Sequence, residues 1–195
     1  MIQTSIQPIS LEIFLAMPAT KPASEFIDGK ILQKPMLQGK HSVIQGELTF
    51  SIDRPLRDQK IARAFPELRC TFGGRWSSTD PGSWTVPDIA VVTWQRIPRD
   101  ESGAVANVFA IVPDWTIEIL SPDQSQRKVV KNILHALKHG ALMGWRIDPE
   151  EQTVFVYRSK QEVKIFDEID QQLPMPEFAQ DLQLTIGELF GWLIE

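Results

Sequence analysis

Two short apolar runs, Asp88-Ile-Ala-Val-Val92 and Trp115-Thr-Ile-Glu-Ile-Leu120, carry one carboxylate apiece and constrain the fold more than anything else in the chain. Neither run alternates apolar with polar residues, as a strand with one wet face would. Near-continuous apolar runs of this length belong to strands covered on both faces. From about Ser125 to His139, Val130, Ile133, Leu134, Leu137 and then Ala141 recur at helical spacing, and Gly140 supplies the stop. Further strands are predicted at Gly144–Asp148, at Thr153–Tyr157 and around Glu162–Phe166. A strand, a helix and another strand in that order predict an α/β fold, a mixed central sheet flanked by helices. Within it a carboxylate on a buried strand is costly unless it is paired or holds a cation.

The rest of the chain is punctuated by turn signals. Residues 1–22 hold a short helix, Ser10–Leu15, closed by Pro18 and Pro22. Asp28-Gly29 marks a hairpin within Glu25–Gln33, and His41 to about Arg54 carries Val43, Ile44, Leu48 and Ile52 on an amphipathic helix. Leu68–Phe72 alternates before Gly73-Gly74, and a short amphipathic helix is predicted from Thr185 to Leu193. With 195 residues the whole of 1–195 is read as one domain. A single cysteine, Cys70, excludes a disulfide framework and a multi-cysteine zinc site. Twenty Lys and Arg against 25 Asp and Glu, a net charge of −5, argue against a uniformly basic nucleic-acid binder. No apolar run approaches the ~18 residues of a membrane span, and the N-terminus lacks a signal peptide's pattern. A cytoplasmic protein with no membrane partner is therefore expected.

There is no Gly-rich phosphate loop, no HExxH and no GxSxG. What stands out is the pair Asp88 and Glu118. If both converge at one end of the sheet, they form a hard-oxygen site suited to Mg²⁺ or Mn²⁺. The residues equally allow Asp88 to begin an edge strand and Glu118 to meet an arginine. Basic residues cluster at Arg54, Arg57, Lys60, Arg63 and Arg69 and at Arg127, Lys128, Lys131 and Lys138. These are candidate phosphate contacts, although charged helices commonly just face water. His135 and His139 read as solvated. The tryptophans, among them Trp76, Trp84, Trp94 and Trp115, suit a core or an interface better than base stacking.

Val86-Pro-Asp-Ile-Ala-Val-Val92, Ile117-Glu-Ile-Leu-Ser-Pro122 and Gly144-Trp-Arg-Ile-Asp-Pro149, with Glu25-Phe-Ile-Asp-Gly29 and His41 upstream, resemble the Uma-type restriction endonucleases. That family, formerly a domain of unknown function, belongs to the PD-(D/E)xK nuclease superfamily, and the resemblance runs in order from about Glu25 to Tyr157. It implies a restriction-endonuclease-like core with Mg²⁺ (or Mn²⁺) at Asp88 and Glu118. Glu25 would be a third metal carboxylate, and His41 would lie near a phosphate or water. The implied activity is metal-dependent hydrolysis of DNA phosphodiester bonds, with the protein acting as a homodimer. In the basic superfamily pattern a lysine follows the Glu by two residues, and here that residue is Leu120. The Uma-type pattern resembles one with the lysine on the following helix. Setting Gly140 and Trp145 on the family's Gly and Trp puts Asn132 at that place. Lys128, one turn earlier on the same face, and Lys131 beside it are the nearest substitutes for assisting the water. Outside the resemblance, Glu25 reads as an exposed strand residue, His41 as a helix-start histidine bonded to backbone, and both lysines as part of a solvated face. The absent lysine also supports an alternative: a catalytically degenerate domain of this fold that binds nucleic acid or a protein partner.

Overall fold

The computed structural model describes residues 10–18, 20–27, 30–34, 36, 38–72, 83–122 and 124–194. In chain order it contains α1 (Leu11–Ala16), β1 (Ser24–Ile27), β2 (Lys30–Gln33), α2 (Gly39–Asp58), β3 (Ala62–Pro66), β4 (Cys70–Phe72), β5 (Ser83–Thr85) and β6 (Ile89–Thr93). There follow β7 (Trp115–Ile119), α3 (Gln126–Lys138), β8 (Met143–Asp148), β9 (Thr153–Tyr157), β10 (Lys164–Phe166) and α4 (Ile186–Gly191). The predicted α/β architecture is the one found. A six-stranded mixed sheet has the order β10-β9-β8-β7-β6-β3, and a smaller sheet has the order β2-β1-β5-β4. The two apolar runs, β6 and β7, are adjacent and antiparallel in the larger sheet. β7 and β8 run parallel, and α3 makes the crossover that parallel neighbours require.

Strand alternation divides the interior in two. Trp115, Ile117 and Ile119 of β7 and Met143, Trp145 and Ile147 of β8 pack against Ile44, Leu48, Ile52 and Leu56 of α2 and Ile186, Leu189 and Phe190 of α4. Ala90 of β6 belongs to the other face, beneath Val129, Ile133, Ala136 and Leu137 of α3. No helix among the described residues is long and apolar enough to cross a membrane.

Several elements differ from their predicted form. The buried side of α3 is Val129, Asn132, Ile133, Ala136 and Leu137, while Leu134 is half exposed. The helix is rolled by about one position from the face that apolar residues select, because a polar group, Asn132, finds buried partners. α2 continues to Asp58, past Arg54, with Pro55 inside it. A proline forgoes one backbone hydrogen bond, and here it falls in the last turn beside the buried Leu56. β3, whose Ala-Arg-Ala-Phe-Pro gives little strand signal, pairs antiparallel with β6 along its whole length. Gly140 does take the left-handed conformation, at φ +109°. α4 starts at Thr185 with a reciprocal capping box to Glu188. Asp28, Gly29, Gly73, Gly74 and Trp76 lie outside the described residues.

α3 is seated by a missing side chain. A Cβ on Gly144 would lie 2.3 Å from Ile133 Cγ2 and 3.4 Å from Thr116 Cγ2. A β-branched residue on a helix has little rotamer freedom with which to yield, so Gly144→Ala must lift α3 from the sheet. The expected loss is ~1–3 kcal/mol, the usual range for overpacking. An unchanged urea midpoint in Gly144→Ala would overturn this account of the seat.

Candidate functional site

Ile89 pairs with Ile117 across β6 and β7. One step further along this antiparallel register, Asp88 and Glu118 come opposite each other with side chains on one face. Like charges directly opposed on a sheet repel, and these two carboxylates are each only 1% exposed. The cation between them comes from the residue that follows β2. Lys34 Nζ lies 2.5 Å from Asp88 Oδ1 and 3.6 Å from Glu118 Oε2, and donates to the Val86 carbonyl at 2.7 Å. Asp88 Oδ2 accepts from the Ile119 backbone N–H at 2.7 Å and faces His41 Nε2 at 3.1 Å. Gln45 of α2 donates to the Asp88 carbonyl at 2.8 Å. Glu118 Oε2 is buried without a hydrogen-bond partner, and so is His41 Nδ1.

Glu25 of β1 stands beside this group, buried rather than exposed. Its Oε1 accepts from the Val86 N–H at 3.2 Å, and both oxygens accept from Asn132 Nδ2, at 3.3 and 3.2 Å. Lys128 Nζ is 3.8 Å from Glu25 Oε2 and donates to the Gln33 carbonyl at 3.4 Å. Lys128 thus leans over the hairpin toward Glu25, whereas Lys131 is exposed. Arg146, the register neighbour of Glu118 on β8, lies 3.7 Å over the Phe155 ring and donates to Gln126. The cation nearest Glu118 in this cluster is Lys34, not this arginine. His135 and His139 lie side by side along α3, their ring centroids 4.3 Å apart and their planes tilted by 49°, and both are partly buried.

The electrostatics follow from burial and crowding. Burial by itself would discharge the Lys34 ammonium, but the fields of Asp88, Glu118 and Glu25 outweigh it and hold the pKa above the ordinary lysine value. Burial pushes the Asp88 carboxyl up, yet Lys34 and the His41 contact together bring it down to about 2. Glu118 goes the other way. Burial first, then the neighbouring charges of Asp88 and Glu25, raise it well above the usual carboxylate range despite Lys34. Glu118 is therefore the carboxylate of the cluster whose ionised form is least compensated, and it favours taking up a proton or a cation.

Lys34 was not among the predicted residues, yet the hairpin carried a signal for it. β1 and β2 pair Ile27 with Lys30 and hence Glu25 with Leu32. Leu32 and Lys34 are two residues apart, so Glu25 and Lys34 share a face of the ribbon.

The model of a family described as Uma2, putative restriction endonuclease, matches residues 11–187. No curated protein matches the chain. The crystal structure of a putative nuclease belonging to DUF820 from Anabaena variabilis is 61% identical in sequence, with a TM-score of 0.90. The match covers 95% of this chain and 99% of that one, so the two share the α/β fold with its mixed sheet packed against helices.

Proposed function

We propose that this chain, which belongs to the Uma2 family, is a divalent-metal-dependent endonuclease that hydrolyses DNA phosphodiester bonds at Asp88 and Glu118. The observation that carries this reading is the pair itself: two buried carboxylates, opposed on adjacent strands, with Glu118 Oε2 left without a hydrogen bond. An orphaned buried carboxylate oxygen fits a hard cation, so Mg²⁺ or Mn²⁺ suits the donor set. Among the described residues no group of three or more His, Cys, Asp and Glu could hold a metal. The reading therefore makes Asp88 and Glu118 the protein ligands, and backbone oxygen or water would fill the remaining positions. A bound ion would lower the pKa of an attacking water and stabilise charge on the scissile phosphate.

The chain's own groups have separable tasks. The Ile119 N–H and His41 orient the Asp88 carboxylate and favour its ionised form. Asn132 and the Val86 N–H hold Glu25 in place beside the pair. Arg127, Lys131 and Lys138 on the exposed side of α3 offer contacts to a phosphate backbone. Of the two helix lysines, Lys128 is the one turned toward the carboxylates.

Supercoiled, linear and single-stranded DNA incubated with Mn²⁺ test the activity, with Asp88→Ala as the control. Nicking by the parent and none by the variant is expected, and an inert parent would sink the reading. A second expectation concerns metal and stability. Mg²⁺ or Mn²⁺ should raise the melting midpoint of the parent, by an amount equivalent to about 2.7 kcal/mol at a hundredfold excess over Kd. Glu118→Gln should lose that response. A parent midpoint indifferent to either ion would remove the metal from the site. The homodimer belongs to the same proposal, since two sites would address two strands. A monomer in sedimentation at concentrations on the order of tens of micromolar would refute it.

One observation favours a different reading. Asn132 stands where the family pattern has a lysine, and its amide is bonded to Glu25. That suits a degenerate site in a domain that binds nucleic acid or a protein without cutting. Binding of DNA with no cleavage under any metal would select it.

A further inference from the structure

We infer that Lys34, carried in by the β1–β2 hairpin, fills the lysine role of this site, and that neither Lys128 nor Lys131 of α3 does. The inference rests on the nuclease reading and goes beyond it by naming the group that faces the reacting phosphate or its attacking water.

Lys34 is 7% exposed, and a buried ammonium is stable only among acceptors. A purely structural ion pair needs one carboxylate. Lys34 instead reaches toward the carboxylates of two adjacent strands, at 2.5 Å for Asp88 and 3.6 Å for Glu118, while the Val86 carbonyl anchors it at 2.7 Å. The two candidate lysines of α3 are not at the pair. Lys128 is held by Glu25 and the Gln33 carbonyl, and Lys131 is exposed. The place two residues beyond Glu118 is an apolar side chain, Leu120. Asn132, at the helix position, has its amide committed to Glu25.

Charge arithmetic gives Lys34 two partners in succession. When both are ionised, Asp88 and Glu118 outnumber the Lys34 ammonium by one charge, and without metal Asp88 retains the ammonium at 2.5 Å. A divalent cation held by both carboxylates would neutralise them and free the Lys34 ammonium to face another anion, such as the phosphate of a bound substrate. Lys34 and the metal therefore compete in the absence of DNA and act together in its presence. The hairpin delivers Glu25 and Lys34 on one face, which places the acid beside Asn132 and the base beside the pair.

Lys34→Met and Lys34→Arg in the full chain, with Lys128→Ala alongside, separate the possibilities. Calorimetric titration with Mn²⁺ and no DNA should give Lys34→Met an affinity at least ~10-fold above the parent, because the competing ammonium is gone. Its cleavage of supercoiled DNA should fall by ~10²-fold or more, the usual loss for a group that orients water or stabilises developing charge. Lys34→Arg keeps the charge, and should keep the fold if Lys34→Met does not. It should cleave at least ~10-fold more slowly than the parent, since a planar fork cannot reproduce a point charge. Parental cleavage by both variants, or a loss confined to Lys128→Ala, would overturn the assignment. An inert parent would instead defeat the nuclease reading. The Mn²⁺ titration would then still judge Lys34, with unchanged or weaker binding in Lys34→Met counting against it.

Discussion

Glu118→Gln is expected to reduce Mn²⁺-dependent DNA cleavage by at least ~10³-fold and, at the same time, to raise the melting midpoint of the metal-free protein at neutral pH. Both effects come from one oxygen. Glu118 Oε2 is buried without a hydrogen bond, and Asp88 is opposed to it across the sheet. Its carboxyl is held well above the ordinary value of 4.5, so the folded state binds a proton that the unfolded state has already released. A raised pKa gives stability that is fully present below about 4.5 and is lost as pH rises toward the folded value. Glutamine keeps the shape without the titration, so the variant should lose less stability on going from acid to neutral pH. Asp88 contributes with the opposite sign. Brought down to about 2 from 3.8, it stabilises above its ordinary value and ceases to do so as pH falls toward 2. Metal-free parent protein melted from about pH 3 to about pH 8 should therefore decline toward both ends of the range. Glu118→Gln should decline less on the neutral side. Identical profiles for parent and variant would contradict the burial account of Glu118, and full cleavage activity in Glu118→Gln would remove the metal-site argument altogether.

Trp145→Ala should cost ~3–5 kcal/mol, the range found for truncating large buried aromatics. That is a large share of the 5–15 kcal/mol that stabilises a typical domain. Trp145 is fully buried, its ring meets Trp115 edge-on at 4.7 Å between centroids, and its Nε1 contacts Met143 Sδ at 3.2 Å. Truncation opens a cavity between β7, β8 and α2, where strands are held by their neighbours and collapse is hindered. The indole and the Glu118 carboxylate face opposite sides of the sheet, because Glu118 lies between the inward-facing Ile117 and Ile119. Metal affinity of the folded variant should thus stay near that of the parent. Urea unfolding gives the stability, and a loss below ~1 kcal/mol would mean that this side of the core repacks easily.

The sequence by itself determined the central strands, the helix that crosses between them and the family. Asp88-Ile-Ala-Val-Val92 and Trp115–Leu120 are apolar without alternation, and only a strand covered on both faces can bury such a run. Those patterns are local, and the backbone reads them wherever the segment packs. It also determined that Glu25 and Lys34 share a face of their hairpin, a consequence of strand parity. The tertiary structure decided the rest. α3 rolled until Asn132, not an apolar residue, met Glu25, 107 residues away in sequence. Lys34 became the partner of Asp88 across 54 residues, although Lys128 and Lys131 lay closer in sequence to Glu118. Charge partners of this kind are set by where a hairpin docks against a sheet. Burial then selects among them, because a buried carboxylate needs whichever cation the docking brings within reach.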